Sequence, residues 1–153
     1  MASALYLLDT NIVVHVVRAD SIGKYVDETY GLRKSPYKPL ISIVSRGELY
    51  VLADRGRWGA DKMQALRNAI DNCVPVDISD EEIIQAYVAI HRHYRTCKPA
   101  ANMDENDYWI AATALVTDAI LLTTDQDFQA LPLSLVRWEY IDPRRASRSG
   151  RQR

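Results

Sequence analysis

The sequence predicts a three-layer α/β fold, a mainly parallel sheet of about five strands flanked by helices. Three observations lead there. Short apolar runs alternate with longer segments of helical periodicity along the chain, as in a parallel sheet covered on both faces. Two of those runs end at an aspartate, Asp9 and Asp125, or one residue before it, where the carboxyl ends of strands border a ligand crevice. A length of 153 residues with 48% apolar side chains suits one buried core rather than two domains.

Residues 4–8 are too few for a helix and form an apolar run that ends in an acid, which predicts a strand buried on both faces. Residues 10–18 follow as a helix. Residues 20–39 are polar and hold Gly23, Gly31, Pro36 and Pro39, which predicts a partly helical connection. A second strand is expected at 40–42, then a helix over 43–55 that stops at Gly56 and Gly59. Residues 60–72 make the next helix. The run 74–76 contains Pro75, which predicts a short or edge strand. Ser79 and Glu82 read as a capping box for a helix running to about Tyr94. Residues 104–117 begin with acids and continue through Ala111, Ala112 and Ala114, a helix able to pack closely on a sheet. A strand at 120–123, a short helical turn at 125–131 and a last strand within 135–141 complete the order.

The formal charge is −1. Five of the 19 basic residues are arginines among the last ten positions, so residues 1–143 carry 14 basic against 20 acidic groups. A basic field over the whole body, the usual sign of a nucleic-acid binder, is therefore absent. Residues 144–153 are expected to be a basic, disordered tail. Cys73 and Cys97 form no C-x-x-C and read as reduced structural residues. Asp9 and Asn11 interrupt the apolar start, which fits neither a signal peptide nor a membrane span, and a cytoplasmic location is expected.

Four carboxylates need an explanation. Asp9 and Asp125 stand at strand ends, where a ligand site and a helix N-cap are both good uses of an aspartate. Glu48 shares a helical face with Val44, Val51 and Leu52, a charge inside an apolar stripe. There it meets a cation, gains hydrogen bonds, becomes protonated, or pairs with Arg46 or Arg18. Asp107 repeats the pattern against Met103, Ile110, Ala111 and Ala114, although a first-turn acid also complements the helix dipole. Acids converging on one end of the sheet would repel one another unless a multivalent cation neutralised them, and an all-oxygen set suits Mg²⁺ or Mn²⁺. His15, His91 and His93 make no zinc set, and neither a G-x-x-x-x-G-K nor a G-x-S-x-G motif occurs. A phosphoacceptor domain with an acidic Mg²⁺ pocket needs a lysine after a late strand, and none follows residues 120–123.

Four segments carry a resemblance: L-L-D-T-N at 7–11, I-S-I-V-S-R-G-E at 41–48, E-N-D-Y-W-I-A-A-T-A at 105–114 and L-T-T-D-Q-D-F at 122–128. In this order they resemble the PIN-domain family, and a compact chain of this kind is similar to its VapC-type toxins. The resemblance spans residues 6–142 and implies a PIN-like nuclease domain over residues 1–143. It implies that Asp9, Glu48, Asp107 and Asp125 form the catalytic acids and hold one or two Mg²⁺ ions, with Mn²⁺ as substitute and Asp127 as a further ligand. Thr10 and Asn11 would support Asp9, with Thr124 at most behind them. The implied activity is endonucleolytic cleavage of RNA, with a small VapB-type antitoxin as partner and a homodimer as assembly. A catalytically silent RNA-binding or structural module is the alternative. For gripping RNA, the sequence offers Arg18, Arg46, Arg144 and Arg145, with Tyr108 and Trp109 as stacking rings or as core. The chain departs from many relatives in its long connection at 20–39 and in lacking a glycine shortly after Glu48.

Overall fold

The computed structural model describes residues 3–97 and 103–149. Five strands, β1 (Tyr6–Leu8), β2 (Leu40–Ser42), β3 (Val74–Val76), β4 (Ile120–Thr123) and β5 (Trp138–Tyr140), form one sheet in the order β3-β2-β1-β4-β5. Every pairing is parallel, with Leu8 opposite Ile41 and Leu122, and Thr123 opposite Tyr140. Seven helices cover it: α1 (Thr10–Arg18), α2 (Ser21–Tyr30), α3 (Ile43–Arg55), α4 (Ala60–Asp71), α5 (Glu81–Cys97), α6 (Glu105–Thr117) and α7 (Pro143–Ser149). A short 3-10 helix, Gln126–Ala130, follows β4.

Alternation along the strands produces the three layers. Leu7, Leu40 and Leu121 point to one face and pack with α5 and α6, while Leu8, Ile41 and Leu122 point to the other and pack with α1, α2, α3 and α4. A strand buried on both faces needs apolar residues at every position, which is why these strands read as unbroken runs. Ala111, Ala112 and Ala114 of α6 are all buried, and these small side chains let the helix lie close to the sheet. β3 stands at the edge, where Pro75 withholds no amide from a neighbouring strand.

Several expectations change in the folded chain. The connection at 20–39 contains a full helix, α2, which docks on α1 through Gly23. A Cβ at Gly23 would lie 2.3 Å from the backbone oxygen of His15. Gly23→Ala is therefore expected to destabilise the fold by about 1–3 kcal/mol, read as a lower urea midpoint with the slope m unchanged. An unmoved midpoint would show that the α1–α2 contact can relax. At the start of α5, Asp80 rather than Ser79 is the cap: its carboxylate accepts from the Glu82 amide at 2.8 Å. Ser79 donates its own amide to Asp77 instead.

The tail is the larger correction. Residues 143–149 form α7, and the expected disorder does not hold for them; residues 150–153 lie outside the described residues. Pro143 occupies the first helical position, Asp142 accepts from the Arg144 amide at 2.9 Å, and Ala146 is buried against the α2 side of the core. The arginines project outward from this anchored helix. Among the described residues, no helix is long and apolar enough to cross a membrane.

Candidate active site

The carboxyl ends of β1, β2 and β4 open into a cleft of about 620 Å³ lined by Asp9, Glu48, Asp107 and Asp125. Each acid arrives by its own local rule. Asp9 prolongs β1 by one ladder step, its amide donating to the Leu122 carbonyl of β4 at 3.0 Å, and it also caps α1. Asp125 stands two residues after the end of β4 and caps the 3-10 helix, with its Oδ1 accepting from the Asp127 amide at 2.9 Å. Asp107 sits in the first turn of α6, where Asp104 accepts its amide at 3.0 Å. For Asp9 and Asp125 the cap and the site are compatible uses of one side chain.

Two threonines wire the acids together. The Thr10 amide donates to Asp9 Oδ1 at 2.8 Å, and its hydroxyl donates to Glu48 Oε1 at 2.8 Å. Thr123 donates its hydroxyl to Asp9 Oδ2 at 2.7 Å and accepts the Asp125 amide at 2.9 Å. Glu48, Asp9, Asp125 and Asp127 are thus linked in one hydrogen-bonded chain. Thr123, which was not among the expected site residues, supports Asp9 directly, next to Thr124, for which at most a role behind the acids was expected. The signal for Thr123 was in the sequence: a hydroxyl ending an apolar strand, buried at 0% exposure, needs a polar partner. Asn11 lines the cleft as an exposed residue and makes no hydrogen bond to Asp9.

Carboxylate oxygens of Asp107, Asp125 and Asp127 come within 4.8 Å of one another. Asp9 is the most buried acid, at 4% exposure. Burial first, then the charges of Asp125 and Glu48, pushes its pKa up to about 6 against the pull of its bonds to Thr123 and Thr10. Burial likewise dominates at Asp107, followed by Asp104, Asp9 and Asp125, and carries it to about 8. Asp127 is also raised, by burial and by Asp125 and Asp104. Among the described residues, no lysine or arginine forms an ion pair with any of the five.

Glu48 reaches the cleft by a different route from the one expected. The inward face of α3 is Ser45, Leu49 and Ala53, one straight row of i, i+4 spacing, and not the Val44, Val51 and Leu52 stripe. That stripe, with Glu48, lines the cleft, and Val51 and Leu52 stay 49% and 41% exposed. The small Ser45 and Ala53 let α3 lie close on the fold, so the bulkier face is left outside. Neither Arg46 nor Arg18 pairs with Glu48.

The expected RNA-gripping arginines lie away from the cleft. Arg18 ends α1, about 12 Å along the helix from Thr10. Arg46 places its guanidinium over the Tyr50 ring at 5.9 Å, and Arg144 and Arg145 are exposed on α7. Arg55, two turns after Glu48 on the same face of α3, is the cationic side chain that lines the cleft among the described residues. Its i+7 spacing from Glu48 was the missed signal. Tyr108 and Trp109 are not free platforms: Tyr108 stacks on His91 at 3.7 Å and Trp109 on Tyr87 at 3.9 Å, joining α6 to α5.

A cleft of carboxylates at the strand ends of a parallel sheet, supported by hydroxyls and with no thiol or imidazole among the described lining residues, is an oxygen-rich site of the kind that suits a hard divalent cation. Residues 6–133 match the model of the PIN domain, and the chain belongs to the PIN-domain family. It is 31% identical over 102 residues to Ribonuclease VapC4 of Mycobacterium tuberculosis, covering 65% of this chain and 76% of that protein. Among solved structures, VapBC2 from Rickettsia felis, bound to a DNA fragment from its promoter, is similar with a TM-score of 0.73 at 19% identity, covering 90% of this chain and 99% of that one. VapBC-1 from nontypeable Haemophilus influenzae follows with a TM-score of 0.70 at 23% identity, covering 89% and 97%. At these identities the structural likeness speaks for the fold.

Proposed function

We propose that the chain is a divalent-cation-dependent endoribonuclease and the toxin of a toxin–antitoxin pair. The observation that carries the reading is the meeting of five carboxylates in and beside one cleft, two with strongly raised pKa values, without a basic residue paired to any of them. Membership of the PIN-domain family and the likeness to a protein named a ribonuclease support RNA as substrate.

Asp107, Asp125 and Asp127 would hold Mg²⁺, or Mn²⁺ in its place, with Asp9 and Glu48 lining the same cleft. A cation bound there supplies positive charge to the scissile phosphate and acidifies water. Asp9, held at both oxygens by Thr10 and Thr123, cannot rotate away and offers a fixed negative charge. Glu48, held by the Thr10 hydroxyl, would take a proton from water entering the cleft. Arg55 offers a charge to a passing phosphate. Leaving at the 3′ oxygen would give 5′-phosphate and 3′-hydroxyl ends.

Ile43, Val51 and Leu52 form an uncovered apolar strip beside the cleft, which supports a protein partner of the VapB antitoxin type. The reading extends to a homodimer in the cytoplasm. Its test is direct. Purified protein with structured RNA and Mn²⁺ should produce those ends, excess EDTA should abolish cleavage, and Asp9→Asn should be inactive. Cleavage that persists in strictly metal-free buffer would sink the proposal.

A further inference from the structure

Tyr94 of α5 is buried, at 4% exposure, yet its hydroxyl makes no hydrogen bond to any described residue. A buried hydroxyl without a partner is unfavourable and calls for an explanation. Its surroundings supply one. Tyr94 packs edge-on against Tyr108 at 5.6 Å, in the same core cluster as Met103 and Phe128. Those three residues adjoin Asp107, Asp104 and Asp127 in the chain. Tyr94 therefore lies beneath both segments that carry the acid cluster, the first turn of α6 and the 3-10 helix. Burial, opposed by the Met103 amide and joined by the carboxylates of Asp127, Asp107 and Asp125, raises its pKa and keeps it a neutral phenol.

We propose that Tyr94 is a positioning residue of the carboxylate cluster, whose hydroxyl donates a hydrogen bond to a carboxylate oxygen or a water in the coordination sphere of a divalent cation held by Asp107, Asp125 and Asp127. The inference rests on the cation reading given above and adds a residue to it from a fourth direction. Tyr94 belongs to none of the segments that carry the five acids and comes from α5, on the face of the sheet away from Thr10. The hydrogen bond would orient the bound carboxylates from behind, as partners around metal ligands do.

The experiment compares wild type with Tyr94→Phe, which keeps the ring packing and removes only the hydroxyl. Binding of Mn²⁺ alone is measured by calorimetry, and thermal unfolding is measured after EDTA treatment. The variant should bind Mn²⁺ about three- to tenfold more weakly, while its EDTA-treated form unfolds at the wild-type temperature or above it, because no hydrogen bond within the chain is lost. Equal Mn²⁺ affinity in the two proteins overturns the inference and leaves the cation reading standing. An EDTA-treated variant that unfolds several degrees lower also overturns it, since the hydroxyl would then be a structural partner. Wild-type protein that takes up no Mn²⁺, like an Asp107→Asn control, overturns the cation reading and this inference together.

Discussion

Asp107→Asn is expected to reduce RNA cleavage on the order of 10³-fold or more while raising the thermal midpoint of the EDTA-treated protein. The two effects have one cause. Burial, reinforced by Asp104, Asp9 and Asp125, makes the ionised form of Asp107 unfavourable and carries its pKa to about 8. Asparagine is nearly isosteric and carries no charge, so the folded chain is relieved of that repulsion. The same change removes a carboxylate from the group formed with Asp125 and Asp127, whose oxygens lie within 4.8 Å of one another. Added Mn²⁺ should then no longer raise the variant's midpoint as it raises that of wild type. Cleavage assays and thermal melts with and without Mn²⁺ check this. A variant that cleaves like wild type, or that loses stability without losing its response to Mn²⁺, would remove Asp107 from the site.

The second large effect is on pH. Asp9 at about 6 and Asp107 at about 8 both lie above the ordinary aspartate value of 3.8. The folded chain therefore holds more protons than the unfolded chain over this interval. The stability these two groups contribute is fully present below the unfolded pKa and is lost as pH rises through about 6 and then about 8. In EDTA, the decline should reach up to about 1.4 kcal/mol per pH unit for each group while it is protonated only in the folded state. A cation requires the ionised carboxylates, so its binding has the opposite trend. Mn²⁺ affinity should rise with pH until Asp107 is ionised and then level off, and binding near pH 6 should release protons. Calorimetry in buffers of different ionisation enthalpy counts those protons. Flat affinity across that range, with no proton release, would mean that the acids are already ionised and the repulsion is relieved some other way.

Much of the fold is visible along the chain because parallel strands are so constrained. The segments 40–42 and 120–123 are buried on both faces and need apolar residues at nearly every position, and α1 and α3 occupy the ranges their periodicity predicts. Local signals that compete for the same residue were harder to rank. Ser79 looked like the cap of α5, yet Asp80 accepts the helix amide. Residues 144–149 read as a charge run, although Asp142 and Pro143 just before them are a helix start. A tail that repels itself in water becomes ordered once Ala146 has a core to enter, and composition alone does not show that core.

The acids themselves stand out in sequence because a carboxylate in an apolar stripe or at a strand end is costly without a reason. Asp107, beside buried Ile110 and Ala111, follows that logic directly. Glu48 led to the right place through a wrong premise: its stripe faces the cleft, and the inward row is Ser45, Leu49 and Ala53. A helix with two apolar faces can present either one, and only its neighbours choose.

By itself, then, the order of residues determined the three layers, the parallel pairing and the positions of the acids in the chain, since these follow from periods of two and 3.6 and from the cost of stranded charge. Tertiary structure decided between candidates that the sequence left side by side: that Thr123, at the strand end, reaches Asp9, that Arg55 faces the cleft while Arg18 does not, and that Tyr94 lies beneath the acid cluster. Those outcomes depend on contacts between segments far apart in the chain, and such contacts are set by how closely small residues such as Gly23, Ser45 and Ala111 let whole elements approach.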